Sequence, residues 1–365
     1  MLNSKFIIGK DSLSKLLGEE TLITKKSVLV IYDIQADILG AKGKIKKVLP
    51  ATLKSKFVKV KSNFFADMTE VKKCLDILYQ CEVDIIIYVG NEVTQSIAKA
   101  VKVFASYNVQ AVSDLQGDLK VVNDILSICI PVSSGDHQAL VTGCFDIMDK
   151  KENCYYRIKN QIAIPDILLL DERLLDKMSR IAKLGLELGT LFMSLIAVTS
   201  QEDLEKKNLS ITAIKNISAN NCSLSDLICA EMYAGLDYLA VQDNLLDEFC
   251  ASVKKICDCK YSLLLVLTLR KNIACFVDKF TSRDISLLGG IYNIHTTDET
   301  EWKEQLKAII QDKITQYFED KDIPNEINEL GINSAEAEEI FDELVENFGA
   351  SDKLMTLKDI VYSNL

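Results

Sequence analysis

Short β-rich runs separated by helical patterns limit what the first half of this chain can fold into. "KSVLVIYD" (Lys26 to Asp33), "FVKV" (Phe57 to Val60), "VDIIIYVG" (Val83 to Gly90) and "ILSICIPV" (Ile125 to Val132) read as strands. Between the second and third, "MTEVKKCLDILYQC" places Val71, Leu75 and Leu78 at helical spacing. Alternation of this kind predicts parallel strands joined by right-handed helical crossovers, an α/β architecture. Past "IPDILLLDERLLDKMSR" (Ile164 to Arg180) the pattern changes. Segments such as "DLICAEMYAGLDYLAVQ" and "AEAEEIFDELVENF" carry apolar residues three and four apart, as amphipathic helices do. The expectation is an α/β domain over residues 1–175 and an all-α domain over residues 176–365.

A chain of 365 residues has room for two cores. Its net charge of −11 argues against nucleic acid and against anionic membrane surfaces, because both require clustered Lys and Arg. No N-terminal segment combines a basic start, an apolar stretch and a small-residue cleavage site, so secretion is not expected. The most apolar run, "YSLLLVLTL" (Tyr261 to Leu269), is too short to span a bilayer and reads as a buried helix. Eleven scattered cysteines suit free thiols in a reducing cytoplasm. The closest group is Cys250, Cys257 and Cys259, with Cys229 further back, and no CxxC pair or neighbouring His completes a zinc site.

One stretch raises a functional question. "IIIYVGNEVTQSIAKA" (Ile85 to Ala100) runs from a strand through Gly90 into a helix, the kind of junction at which free N–H groups and the helix dipole hold a phosphate. Together with its neighbours it resembles the iron-containing alcohol dehydrogenase family, which includes glycerol dehydrogenase and is related to dehydroquinate synthase. "FIIGKDSLSKLLGE" resembles the family's opening strand and helix, and "VLVIYD" its first nucleotide-fold strand. "CEVDIIIYVGNEVTQSIAKAV" resembles D-x-I-I-x-x-G-G-G-S-x-x-D-x-A-K-A, and "ICIPVSSGDHQALVT" stands where the family has I-P-T-T-x-G-T-G-S-E-V-T. "IPDILLLDERLL" and "IPNEINELGINSAEAEEI" continue the likeness to the C-terminus. The resemblance implies a dinucleotide-binding-like N-terminal domain, a helical C-terminal domain, NAD or NADP, a divalent metal, and an alcohol or aldehyde substrate. It also implies a possible homodimer.

Taken residue by residue, the resemblance is uneven. With the match anchored on Ala98 and Lys99, the family's three glycines fall on Gly90, Asn91 and Glu92. Asn tolerates positive φ better than other side-chain-bearing residues, whereas Glu92 would repel a pyrophosphate. In the second loop Ser133 and Gly135 are retained as cofactor-binding candidates, while Asp136 adds negative charge. Asp33 falls where the family's acid faces the adenosine ribose, which favours NAD over NADP; it also reads simply as a strand end capping the next turn.

The metal positions depart further. The family's paired ligands, four apart on one helix, fall on Glu187 and Leu191, and its two histidines fall on Asp247 and Tyr261. Only His137 and His295 occur in the chain, so three imidazoles cannot converge. Glu187 and Asp247 remain a hard-oxygen pair suited to Mg²⁺ or Ca²⁺ if they meet. His137, in "SGDHQ", reads either as a general acid or base or as part of a solvated polar turn. Two functional expectations follow. One is a divergent family member without the usual metal-dependent dehydrogenase activity. The other is an NAD-linked oxidoreductase for a small alcohol, polyol or aldehyde that works through a non-standard metal site. A lyase like dehydroquinate synthase fits less well, because that chemistry also wants zinc held by histidines.

Overall fold

Among the described residues, β1 (Lys5–Gly9), β2 (Ser27–Tyr32), β3 (Lys54–Lys59), β4 (Ile85–Gly90), β5 (Leu126–Pro131) and β8 (Ile167–Asp171) form one sheet. Its order is β1-β8-β5-β4-β2-β3, and every pairing is parallel. The computed structural model describes the chain outside residues 1–3, 20–21, 23, 62–64, 116–118, 133–140, 176–177, 242–243 and 258. It divides into two compact units, Met1–Met178 and Ser179–Leu365.

All residues of β2, β4 and β8 are buried. A parallel sheet covered on both faces leaves no polar side for such strands, which explains their unbroken apolar runs. One face packs Val28, Val30, Ile85, Ile87 and Ile128 with Leu13 and Leu16. The crossover helices are α1 (Ala41–Val48), α2 (Met68–Gln80) and α3 (Glu92–Tyr107). In α2, Val71, Leu75 and Leu78 are buried, as their spacing requires. Strand β3 starts at Lys54, earlier than its apolar signal, because an edge strand carries Lys54, Lys56 and Lys59 where unpaired backbone must be shielded from further pairing. A feature outside the sequence reading is the antiparallel hairpin of β6 (Cys144–Asp149) and β7 (Cys154–Lys159), whose turn places Asn153 at φ 49°.

The second unit is helical: α4 (Arg180–Ser200), α5 (Leu204–Ile217), α6 (Leu224–Leu239), α7 (Leu245–Ile256), α8 (Tyr261–Leu269), α9 (Glu299–Phe318), α10 (Ser334–Phe348) and α11 (Asp352–Tyr362). The chain thus has the expected α/β portion followed by an all-α portion. Helix α4 is long and apolar enough to cross a membrane, which the sequence reading did not note. It is instead mostly buried, packed against α5, α6, α8 and α9. Helix α8 is buried all round, as its uniformly apolar run predicts.

Close approach of α4 to α8 depends on Gly189, where an added Cβ would lie 2.6 Å from Ser262 Cβ and 3.1 Å from Ser262 Cα. Gly189→Ala is expected to force the helices apart and cost about 1–3 kcal/mol. A lowered urea midpoint would register the loss.

Candidate functional site

The sheet order reverses between β2 and β4: the chain leaves β2 outward to β3, then returns across it to β4. In open α/β sheets the carboxyl ends of strands at such a switch point are where ligands bind. Here those ends carry Asp33 and Gly90.

Asp33 is completely buried. Its Oδ1 accepts from the Ala36 N–H at 2.8 Å, which caps the short helix Ile34–Ile38. Its Oδ2 accepts from the Asn91 N–H at 2.7 Å and from Thr94 Oγ1 at 3.0 Å. Both of the latter donors belong to the N-terminus of α3, whose dipole favours a negative charge there. Gly90 is required for the same reason, since a Cβ would overlap the Asp33 carboxyl group. The carboxylate is therefore held by the protein's own donors, in keeping with the reading of Asp33 as a strand end that caps the next turn.

Asn91, with φ −77°, is the N-cap of α3, its side chain accepting from the Thr94 N–H at 3.1 Å. Glu92 follows in the first helical turn, half-buried, adding the sign of charge a helix N-terminus prefers. Ser133, Gly135 and His137 lie outside the described residues.

Lys99, which anchors the sequence match, is 1% exposed and donates to Thr142 O at 3.2 Å and Cys144 O at 3.0 Å. It pins the start of β6 to α3. Burial pulls its ammonium down to about 8 from an ordinary 10.5.

In the helical unit, Glu187 on α4 accepts at Oε1 from Lys313 Nζ of α9 at 2.8 Å and from Tyr292 Oη at 3.3 Å. The same ammonium lies 5.2 Å from the Tyr292 ring centroid. Burial, then the Glu187 charge, pushes the Tyr292 phenol well above its usual range. Leu191, one turn along α4, is fully buried apolar packing. Asp247 on α7 and Tyr261 at the start of α8 do meet: the Tyr261 hydroxyl donates to Asp247 Oδ1 at 2.7 Å and lies 2.8 Å from Tyr238 Oη. Burial, then the charge of Asp247, raises the Tyr261 phenol far above normal.

Tested as a metal centre, these residues do not fit. An ammonium already neutralises Glu187, a phenol holds Asp247, and Leu191 has no donor atom. Among the described residues no group of three or more His, Cys, Asp or Glu is placed to hold a metal ion. Sequence reasoning missed Lys313 and Tyr292, which carry no motif and reach Glu187 only through folding.

No family model matches the sequence, and no curated protein matches it by sequence. Solved structures do match. An alcohol dehydrogenase from Oenococcus oeni superposes with a TM-score of 0.77 at 15% identity, covering 99% of this chain and 98% of that one. An iron-containing alcohol dehydrogenase from Corynebacterium glutamicum gives 0.72 at 13% identity, covering 100% and 95%. The chain has the fold of the iron-containing alcohol dehydrogenases. A sulfoacetaldehyde reductase from Bifidobacterium kashiwanohense, solved with NAD⁺, gives 0.76 at 12% identity, covering 100% and 97%. Within this iron-containing alcohol dehydrogenase fold, the present chain puts its own carboxylate against the β4–α3 donors and its own lysine against Glu187.

Two measurements check the site. Asp33→Ala removes the acceptor of the Ala36 and Asn91 N–H groups and is expected to lower unfolding free energy by about 3 kcal/mol in urea titration. For Lys99 the folded state binds its proton less tightly than the unfolded chain, so the penalty is full below about pH 8 and is relieved as pH rises toward 10.5. Wild type should gain stability relative to Lys99→Met across that window, and a flat difference would reject the assignment.

Proposed function

We propose that this chain is a divergent protein of the iron-containing alcohol dehydrogenase fold that has lost metal-dependent dehydrogenase chemistry and acts as a non-catalytic or altered member. One observation carries the reading: the residues standing at the metal-ligand positions are satisfied by the protein itself. A carboxylate ligates a divalent ion with lone pairs, and a metal at Glu187 must displace or repel the Lys313 ammonium 2.8 Å from Oε1. At Asp247 it would compete with the Tyr261 hydroxyl for Oδ1. The acidic character of the β4–α3 junction supports the same reading, because Asp33 and Glu92 set negative charge where a pyrophosphate would bring more.

A second reading keeps an NAD-linked oxidoreductase acting on a small alcohol, polyol or aldehyde. It is favoured by the NAD⁺ complex among the structural neighbours. In that case Glu187 and Asp247 would have to release their present partners to serve as oxygen donors, with His137 as a general acid or base.

Calorimetric titration separates the two. NAD⁺ and NADH are added to the full chain, alone and with Zn²⁺, Fe²⁺ or Mg²⁺, and turnover is assayed on short alcohols and aldehydes. The first reading expects no stoichiometric metal binding and no turnover with any ion. Micromolar metal binding accompanied by hydride transfer would overturn it in favour of the second.

A further inference from the structure

Cys257 and Cys259 flank the connection from α7 to α8, and their sulfurs lie 3.3 Å apart. Cys257 is half-buried and Cys259 buried, so only one member of the pair is readily met from solvent. We propose that these two residues are a thiol–disulfide exchange site, oxidised by small-molecule disulfides to an intramolecular Cys257–Cys259 bridge.

A disulfide bond brings two sulfurs to about 2.05 Å, so little further approach is needed. The exposure difference assigns the roles. The Cys257 thiolate attacks one sulfur of R–S–S–R, forming a Cys257–S–S–R mixed disulfide and releasing RS⁻, which takes up a proton. Cys259 then gives up its proton and attacks the Cys257 sulfur; the Cys257–Cys259 bond forms and the second R–S group leaves as RSH. The protein loses two thiol hydrogens and the disulfide becomes two thiols, so the exchange balances.

The surroundings suit this order. The Cys259 thiol is held above its usual range by its hydrogen bond to Cys257, then by burial, while the Lys254 ammonium pulls it down. A second observation gives the pair a place in the fold. Asp247 sits on α7 and Tyr261 opens α8, so their hydrogen bond spans the same junction as the two cysteines. A bridge here encloses only three residues and adds little stability through chain entropy. Its effect is local, on the α7–α8 connection.

The test uses the full chain incubated with oxidised glutathione, alkylated and digested with trypsin. Cleavage after Lys255 and Lys260 leaves "ICDCK", which holds both cysteines and no other. The expected product is this peptide two hydrogens lighter and unalkylated. Exposed Cys275, outside the pair, should instead keep a glutathione adduct. Cys259→Ser is expected to trap glutathione on Cys257 at a level at least about tenfold above wild type, and Cys257→Ser to leave Cys259 unmodified. A dialkylated wild-type peptide beside a modified Cys275 overturns the proposal, as does a bridge from either cysteine to Cys250. The wild-type result stands even if a serine variant fails to fold.

Discussion

A single buried carboxylate joins the adjacent strands β2 and β4 of the α/β unit. Asp33 ends β2, yet its oxygens are held by the backbone of Ala36 and by Asn91 and Thr94 beyond the end of β4. The Ala36 and Asn91 N–H groups are among those that a helix start leaves without a partner inside the helix. The interaction dictates a glycine at position 90, orients the first turn of α3 and closes the short helix after β2. It also places an internal anion at the switch point, where sheets of this type meet their ligands.

The helical unit follows the same rule on a different set of residues. A buried or half-buried carboxylate must be paired, hydrogen-bonded or metal-bound. Here Glu187 is paired with Lys313 and Asp247 is hydrogen-bonded to Tyr261. Leu191 lies in the apolar core, and Tyr261 donates to Asp247.

Much of the architecture was legible in the residues. Unbroken apolar runs marked β2, β4 and β5, the spacing of Val71, Leu75 and Leu78 marked α2, and "YSLLLVLTL" marked a helix buried on all sides. Less legible were elements whose surroundings decide their character. Lysine-rich β3 is a strand because it lies at an edge, and α4, apolar enough for a bilayer, is a core helix because neighbouring helices cover it. At the site, Asp247 and Tyr261 meet through a hydrogen bond between side chains, and the partners of Glu187 gave no sequence signal.

Residue identity alone determined the order of an α/β portion followed by helices and the lack of enough histidines for an imidazole-based metal centre, because hydrophobic period and ligand chemistry are local properties. Tertiary structure alone decided that Asp33 is held by the protein's own donors, that Asn91 caps a helix, and that Lys313 comes to rest on Glu187. Those outcomes depend on which donors and charges are brought within about 3 Å across long chain separations, since hydrogen bonding and ion pairing act only at that range.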